Sequence, residues 1–358
     1  MQPKQIHELK ILDLSTVLAG PSVGTFFAEL GAHVIKIEHP VFGDVTNSWR
    51  LPNEQDLSQQ SAYYSSVNFN KQTVKLNLQV PNDYMHFLEA LKDTDIVLMN
   101  FKKGDDVKLK LDDQTLWKHK PGLIIGKITG FGSDTDRIAY DLILQAETGF
   151  MSMNGSPDSE PTKMPVALID VLAAHQLKEG LLLALLKNSQ HGQLVSVSLY
   201  DAAVCSLANQ AANYLMTGHI PQRIGSLHPN IAPYGEIFQT KDAKQITFAI
   251  GSDLHFEKLV HFLGLAELAT DPRFSMNIAR VKNRAVLFQL LEPIISKKTS
   301  SEICTSLIEL NVPVAQIKAL DEVFTEQTAQ NLVRSEQIGT QLTKRVTQIA
   351  FKIHDSNT

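Results

Sequence analysis

The sequence predicts an α/β chain in two parts, a doubly wound parallel sheet followed by a smaller α+β region. Three observations carry this. Short apolar strands alternate with helical segments from Lys10 to Met216, the pattern of βαβ units. A stretch bearing prolines and glycines, Gly218 to Gly235, interrupts that pattern, and a hairpin and a run of helices follow it. The length, 358 residues, exceeds what one simple core holds and suits two domains.

The elements read in order as follows. Lys10 to Ser15 (KILDLS) is a strand, and a helix opens after the loop Thr16 to Gly20, at Pro21. Proline suits a first helical position because its missing N–H had no partner there. Gly31 closes that helix as a C′ residue, and His33 to Glu38 is the second strand. Further strands are expected over Thr73 to Leu78, Asp95 to Asn100, Leu123 to Ile128 and Gln193 to Ser198. Helices are expected over Pro81 to Lys92, Val171 to Asn188 and Asp201 to Met216. Beyond the interruption, Glu236 to Gly251 reads as a hairpin turning at Lys241–Lys244, and helices dominate from Asp253 to Leu310. The tail from Gly339 to Ile353 alternates like strands, which suggests a return to the first domain. The expected division is a large domain over 1–217 completed by about 330–358, a linker over 218–233 and a small domain over 234–329.

Composition narrows the function. A formal net charge of -5, with no basic tract, gives no case for nucleic-acid or membrane-surface binding. Two cysteines, Cys205 and Cys304, exclude a disulfide framework, and both lie in segments that read as packed helix. Met1 to Lys10 has no apolar core of the kind a secretion signal carries, and no apolar run reaches membrane-spanning length. The cytoplasm is the expected compartment. No cluster of His, Cys and carboxylates shows metal-ligand spacing, so no metal is expected.

Three features could carry chemistry. The first βα turn, Ser15 to Pro21, sits where open α/β sheets bind ligands, yet G-x-G-x-x-G and P-loop fingerprints are absent. A structural turn explains it equally well. Seven lysines, Lys36, Lys71, Lys75, Lys102, Lys103, Lys108 and Lys110, fall in the first third; they read either as a phosphate-holding cluster or as a solvated rim. Asp170 stands inside the apolar run Met164 to Ala174. A carboxylate there is either a helix cap or a nucleophile, and a helix N-terminus would serve both by favouring the ionised form.

Taken together, the motifs resemble the class III CoA-transferases, the superfamily of formyl-CoA and carnitine CoA-transferases and α-methylacyl-CoA racemase. The resemblance rests on Ile11–Ser15 with Leu18–Pro21, on Leu30–Pro40 with Gly43–Asp44, and on Asn68–Lys71 and Asn100–Gly104. It continues through Thr129–Gly132, Tyr140–Asp141, Gly192–Gln193, Pro233–Gly235, Asp271–Phe274 and Asn283–Arg284. The matches run in order from about residue 11 to about residue 315. The chain departs from the family pattern at Asn47, Lys102, Lys103, Ser133–Arg137 and Ala173–Ala174, and near Gly218–Arg223.

The resemblance implies a Rossmann-like large domain, a small domain, and two chains interlocked as an obligate homodimer. It implies Asp170 as nucleophile and a coenzyme A site lined by Leu18, Ala19, His39, Leu76, Asn77, Leu78, Gln79, Asn100, Phe101, Lys108, Ile138, Ala139, Tyr140 and Asp141. Coenzyme A enters as substrate, on an acyl-CoA donor, with a carboxylic acid as acceptor; no permanently bound cofactor is implied. Asp170 would pass through a mixed anhydride and an aspartyl-CoA thioester, dividing one hard exchange into easier steps. Two alternatives stand beside this. A racemase would need a His-Asp pair where this chain has Ala139-Tyr140-Asp141. A non-catalytic CoA-binding protein would have no need of Asp170. Arg223 and His228 are candidates for holding a substrate carboxylate, with ordinary loop roles equally open.

Overall fold

The computed structural model describes residues 4–54 and 56–354; the ends of the expected large domain, residues 1–3 and 355–358, lie outside them. The chain forms two compact units, Met1–Ser152 with Lys163–Pro221 and Gln330–Thr358, and Met153–Thr162 with Gln222–Ala329.

The first unit is built on six parallel strands: β1 (Lys10–Asp13), β2 (His33–Glu38), β3 (Gln72–Lys75), β4 (Ile96–Met99), β5 (Ile124–Thr129) and β6 (Gln193–Ser198). They lie in the order β3-β2-β1-β4-β5-β6. This is the strand order of a doubly wound dinucleotide-type sheet, whose reversal point lies between β1 and β4. Side-chain alternation divides the core between the two faces. Ile11, Ile96, Leu98 and Ile124 face the helices Ala19–Glu29 and Leu168–Lys187, while Leu12, Val97, Met99 and Ile125 face Pro81–Lys92 and Asp113–His119. β4 is buried along its whole length, as a central parallel strand should be, and the edge strand β3 is largely exposed.

Three local readings change. The first helix opens at Ala19, two residues ahead of Pro21, which still falls among the first-turn positions that need no N–H. The expected single helix over Asp201–Met216 is two, Leu199–Cys205 and Ala208–Thr217. Ser206 ends the first by donating its hydroxyl to the Ala202 carbonyl, and Ala208 takes a φ of 46°. The tail forms an antiparallel hairpin of β10 (Val333–Ile338) and β11 (Gln341–Val346), ending well before Ile353. The strand stops because the Glu29 carboxylate takes over the backbone beyond it, accepting bonds from Arg345, the Thr347 hydroxyl and the Gln348 N–H.

The second unit holds an antiparallel sheet of β7 (Tyr234–Gln239), β8 (Gln245–Ala249) and β9 (Val314–Gln316), in that order. Helices Asp253–Phe262, Arg284–Ile295 and Ser300–Glu309 pack on it around Phe238, Phe248, Phe256 and Phe274. Arg280, fully buried here, is satisfied by the carbonyls of Ala232 and Phe274 and by Asp253.

Candidate active site

The loops that follow β1 and β4 are tied to each other at the reversal point of the sheet. The Thr16 N–H donates to Asn100 Oδ1 at 3.0 Å, and Asn100 Nδ2 returns a bond to the Thr16 carbonyl at 2.8 Å. Beneath them lies a buried ionic network. Asp13, at the end of β1, pairs with Lys71 at 2.8 Å and accepts the N–H and hydroxyl of Ser15. Lys36, also fully buried, donates to the Ser15 carbonyl and to Asp44. Asp44 in turn receives the N–H of Val17, holding that β-branched residue at a φ of 75°, a conformation it would not adopt unaided. Gly24 makes room for the network: a Cβ there would stand 2.7 Å from Asp13 Oδ2 and 3.1 Å from Lys71 Nζ.

These contacts resolve the two readings of the lysines differently for each residue. Lys36 and Lys71 belong to neither, being internal counter-ions. Lys75 pairs with Glu38, Lys103 bonds the Asp134 carbonyl and Lys108 pairs with Asp105 on the surface, while Lys102 and Lys110 are exposed.

The other sequence-predicted positions lie on the segments that follow the carboxyl ends of adjacent strands. Leu18 and Ala19 open the helix after β1. His39 follows β2; its Nδ1 accepts the N–H groups of Val41 and Phe42, and its ring stacks on Phe42 at 4.6 Å. Leu76 to Gln79 follow β3, with Leu76 and Leu78 packed on the core and Asn77 turning the backbone toward Gln79. Asn100 and Phe101 follow β4, and Lys108 ends the short helix beyond. After β5, Ala139 folds against Gly130 so closely that a Cβ on the glycine would lie 2.4 Å from that of Ala139. Ile138 and Tyr140 are left exposed, and Asp141 begins the helix Asp141–Glu147.

Asp170 is the third residue of Leu168–Lys187 and 8% exposed. It does not cap that helix. Ala167 occupies the N-cap position without a side-chain bond, and Asp141 supplies the cap from outside, its Oδ1 accepting the Ile169 N–H at 2.7 Å. The other Asp141 oxygen accepts Gln145 Nε2 at 2.7 Å. Burial first, and then the negative charge of Asp141, push the Asp170 carboxyl up to about 7, and no hydrogen bond among the described residues opposes them. A carboxylate poised there is desolvated and unpaired, a state suited to nucleophilic attack.

Sequence reasoning missed the aromatic pair Trp49 and Tyr63, whose rings meet edge to face at 5.2 Å. Burial, followed by the charges of Asp170, Asp141 and Asp44, pushes the Tyr63 phenol up to about 12, so a protonated hydroxyl stands in the field of Asp170. The signal available was an aromatic at each end of the polar stretch 50–62. In the second unit, His228 packs on Tyr234 at 4.9 Å and its Nδ1 accepts the Asn230 N–H.

The family model of CoA-transferase family III matches residues 6–358. Succinate–glutarate CoA-transferase of Agrobacterium fabrum is 34% identical over 90% of this chain and 82% of its own length. Acetyl-CoA:oxalate CoA-transferase of Acetobacter aceti is 33% identical over 91% of this chain and 84% of its own. The crystal structure of a CAIB/BAIF family protein from Brucella suis superposes with a TM-score of 0.84 at 33% identity, covering 99% of this chain and 94% of that one. The chain belongs to CoA-transferase family III and is a CoA-transferase.

Proposed function

We propose that Asp170 carries the transfer of coenzyme A from an acyl-CoA to a carboxylic acid. The observation that supports this best is the setting of Asp170, a nearly buried carboxylate at a helix N-terminus with no counter-ion and no hydrogen bond among the described residues. The deprotonated Asp170 attacks the thioester carbonyl; the C–S bond breaks, leaving an acyl-aspartyl anhydride and CoA thiolate. The thiolate attacks the aspartyl carbonyl and releases the first acid, giving an aspartyl-CoA thioester. The acceptor carboxylate then attacks that thioester to form a second anhydride and free thiolate. Attack of the thiolate on the acceptor's acyl carbon yields the new acyl-CoA and restores Asp170. No proton is consumed overall.

Coenzyme A lies along the loops after β1 to β5, on Leu18, Ala19, His39, Leu76 to Gln79, Asn100, Phe101, Lys108 and Ile138 to Asp141. Tyr140, half exposed just ahead of the capping Asp141, stands nearest the thioester. The working form is an interlocked homodimer in the cytoplasm, with coenzyme A as substrate and no resident cofactor. Among the described residues no helix is long and apolar enough to cross a membrane.

The test is trapping. Protein mixed with acyl-CoA and quenched with hydroxylamine or borohydride should carry a modification at Asp170, located by peptide mass spectrometry. D170N should carry none. Bound CoA without any adduct, across a broad acyl-CoA panel, would overturn the nucleophile.

A further inference from the structure

Three turns of the helix that carries Asp170 hold a second buried ionisable group that the transfer reaction does not use. Lys178 is 4% exposed, and it follows Asp170 and Ala174 at helical spacing of four. Its ammonium has one hydrogen bond among the described residues, to Gln348 Oε1 at 3.1 Å, and lies 5.2 Å from the Phe26 ring centre. The charge of Glu29 acts on it, but the Glu29 oxygens are occupied by Arg345, Thr347 and Gln348. Burying an ammonium with no carboxylate in direct contact is costly.

The space beside Lys178 bears on what that charge can do. A cavity of about 350 Å³ runs from Leu18 and Val171, one residue from Asp170, to Lys178, Lys344 and Arg345, with His175 on its wall. Among the described residues no Asp or Glu lines it. A second cavity of about 440 Å³ continues past Lys178 toward Phe351, with Glu179 on its wall. The mouth near the nucleophile is apolar, and the far end is cationic. A ligand matching this has an aliphatic middle and an anionic far end.

We infer that this cavity receives the tail of the acid attached at Asp170, and that Lys178 pairs with a second carboxylate on that tail, so that the enzyme selects dicarboxylic acids. Eight residues of helix separate the two groups by roughly 12 Å between Cα atoms. The lysine side chain reaches back toward the helix N-terminus and shortens the gap. Chain length therefore matters as well as charge: five- and six-carbon diacids fit better than two- or three-carbon ones. This inference rests on the Asp170 reading for the position of the reacting end, and on the cavity alone for the anchored end.

Transfer from a common acyl-CoA donor to glutarate and to butyrate supplies the test. The ratio of their kcat/KM values should favour glutarate in the wild type. It should fall by about tenfold to a hundredfold in K178M, the range of one charge-assisted bond. The charge-conserving K178R should retain most of the preference, which separates anchoring from a packing defect. Calorimetric binding of glutarate to D170N and to K178M keeps the two readings apart. Glutarate bound by D170N and lost in K178M supports the anchor whether or not Asp170 is the nucleophile. An unchanged glutarate-to-butyrate ratio in K178M would overturn the anchor, and so would a loss confined to CoA affinity, which would assign the cations to CoA phosphates.

Discussion

Two carboxylates lie buried where the strands of one sheet end, and they are held in opposite states. Asp13 is fully enclosed, yet Lys71 and Lys36 together with two hydrogen bonds outweigh the burial that would raise it, so its carboxyl lies below the ordinary range. Asp170 is almost as enclosed, but the charge that acts on it among the described residues is that of another carboxylate, Asp141, and it sits near 7. The difference lies in compensation, since burial is common to both. Asp13 is a strut that fixes the loop after β1. Asp170 has no compensating charge or hydrogen bond among the described residues. Titratable groups driven apart by their surroundings are a mark of division of labour within one site.

The strongest way to break this comparison is D170N. Transfer should fall by about 10³-fold or more, as for other covalent nucleophiles, measured as CoA exchange between acids. Stability should move the other way. The folded state keeps the Asp170 proton up to about 7, whereas the unfolded chain releases it near 3.8. Wild-type stability is therefore lost as pH rises between those values, and the neutral amide escapes the loss. D170N should melt higher than wild type at pH 8, and the gap should close toward pH 4. An equal gap at both would show that Asp170 is not the titrating group.

D13N should do the reverse. It leaves Lys71 buried without its counter-ion, which costs about 3–5 kcal/mol, read from urea denaturation at pH 7. That difference should shrink below about pH 4, where Asp13 in the unfolded wild type binds its proton. An intermediate effect belongs to D141N. It removes the charge that lifts Asp170 and weakens the cap on Ile169. The acid limb of the rate profile, expected near pH 7 in wild type, should shift to lower pH, with a stability loss of about 1 kcal/mol. The smallest effect is expected of K108A. Lys108 is exposed and tied to Asp105, so KM for acyl-CoA should rise only severalfold, and less at high salt.

Local pattern made much of the first unit legible. Alternation along Ile11–Asp13, Ile96–Met99 and Ile124–Thr129 fixes two buried faces, and that requires helices on both sides. Asp170 drew attention as a charge in an apolar run, and the run of motifs assigned it a part. Neither source could say what surrounds it. A helix cap was a reasonable local reading, yet the cap comes from Asp141, 28 residues earlier, because the crossover after β5 brings that helix to this one. The lysines divide into counter-ions and surface charges only once Lys71 meets Asp13, 58 residues away. Lys178 gave no signal in sequence; its use depends on a cavity closed by the β10–β11 tail, whose Gln348 lies 170 residues on. Hydrophobic period is written into neighbouring residues, and so the sequence determined strands, helices and faces. Desolvation and charge pairing depend on residues brought together from distant parts of the chain, and for that reason only the tertiary structure decided which carboxylate is compensated and which is not.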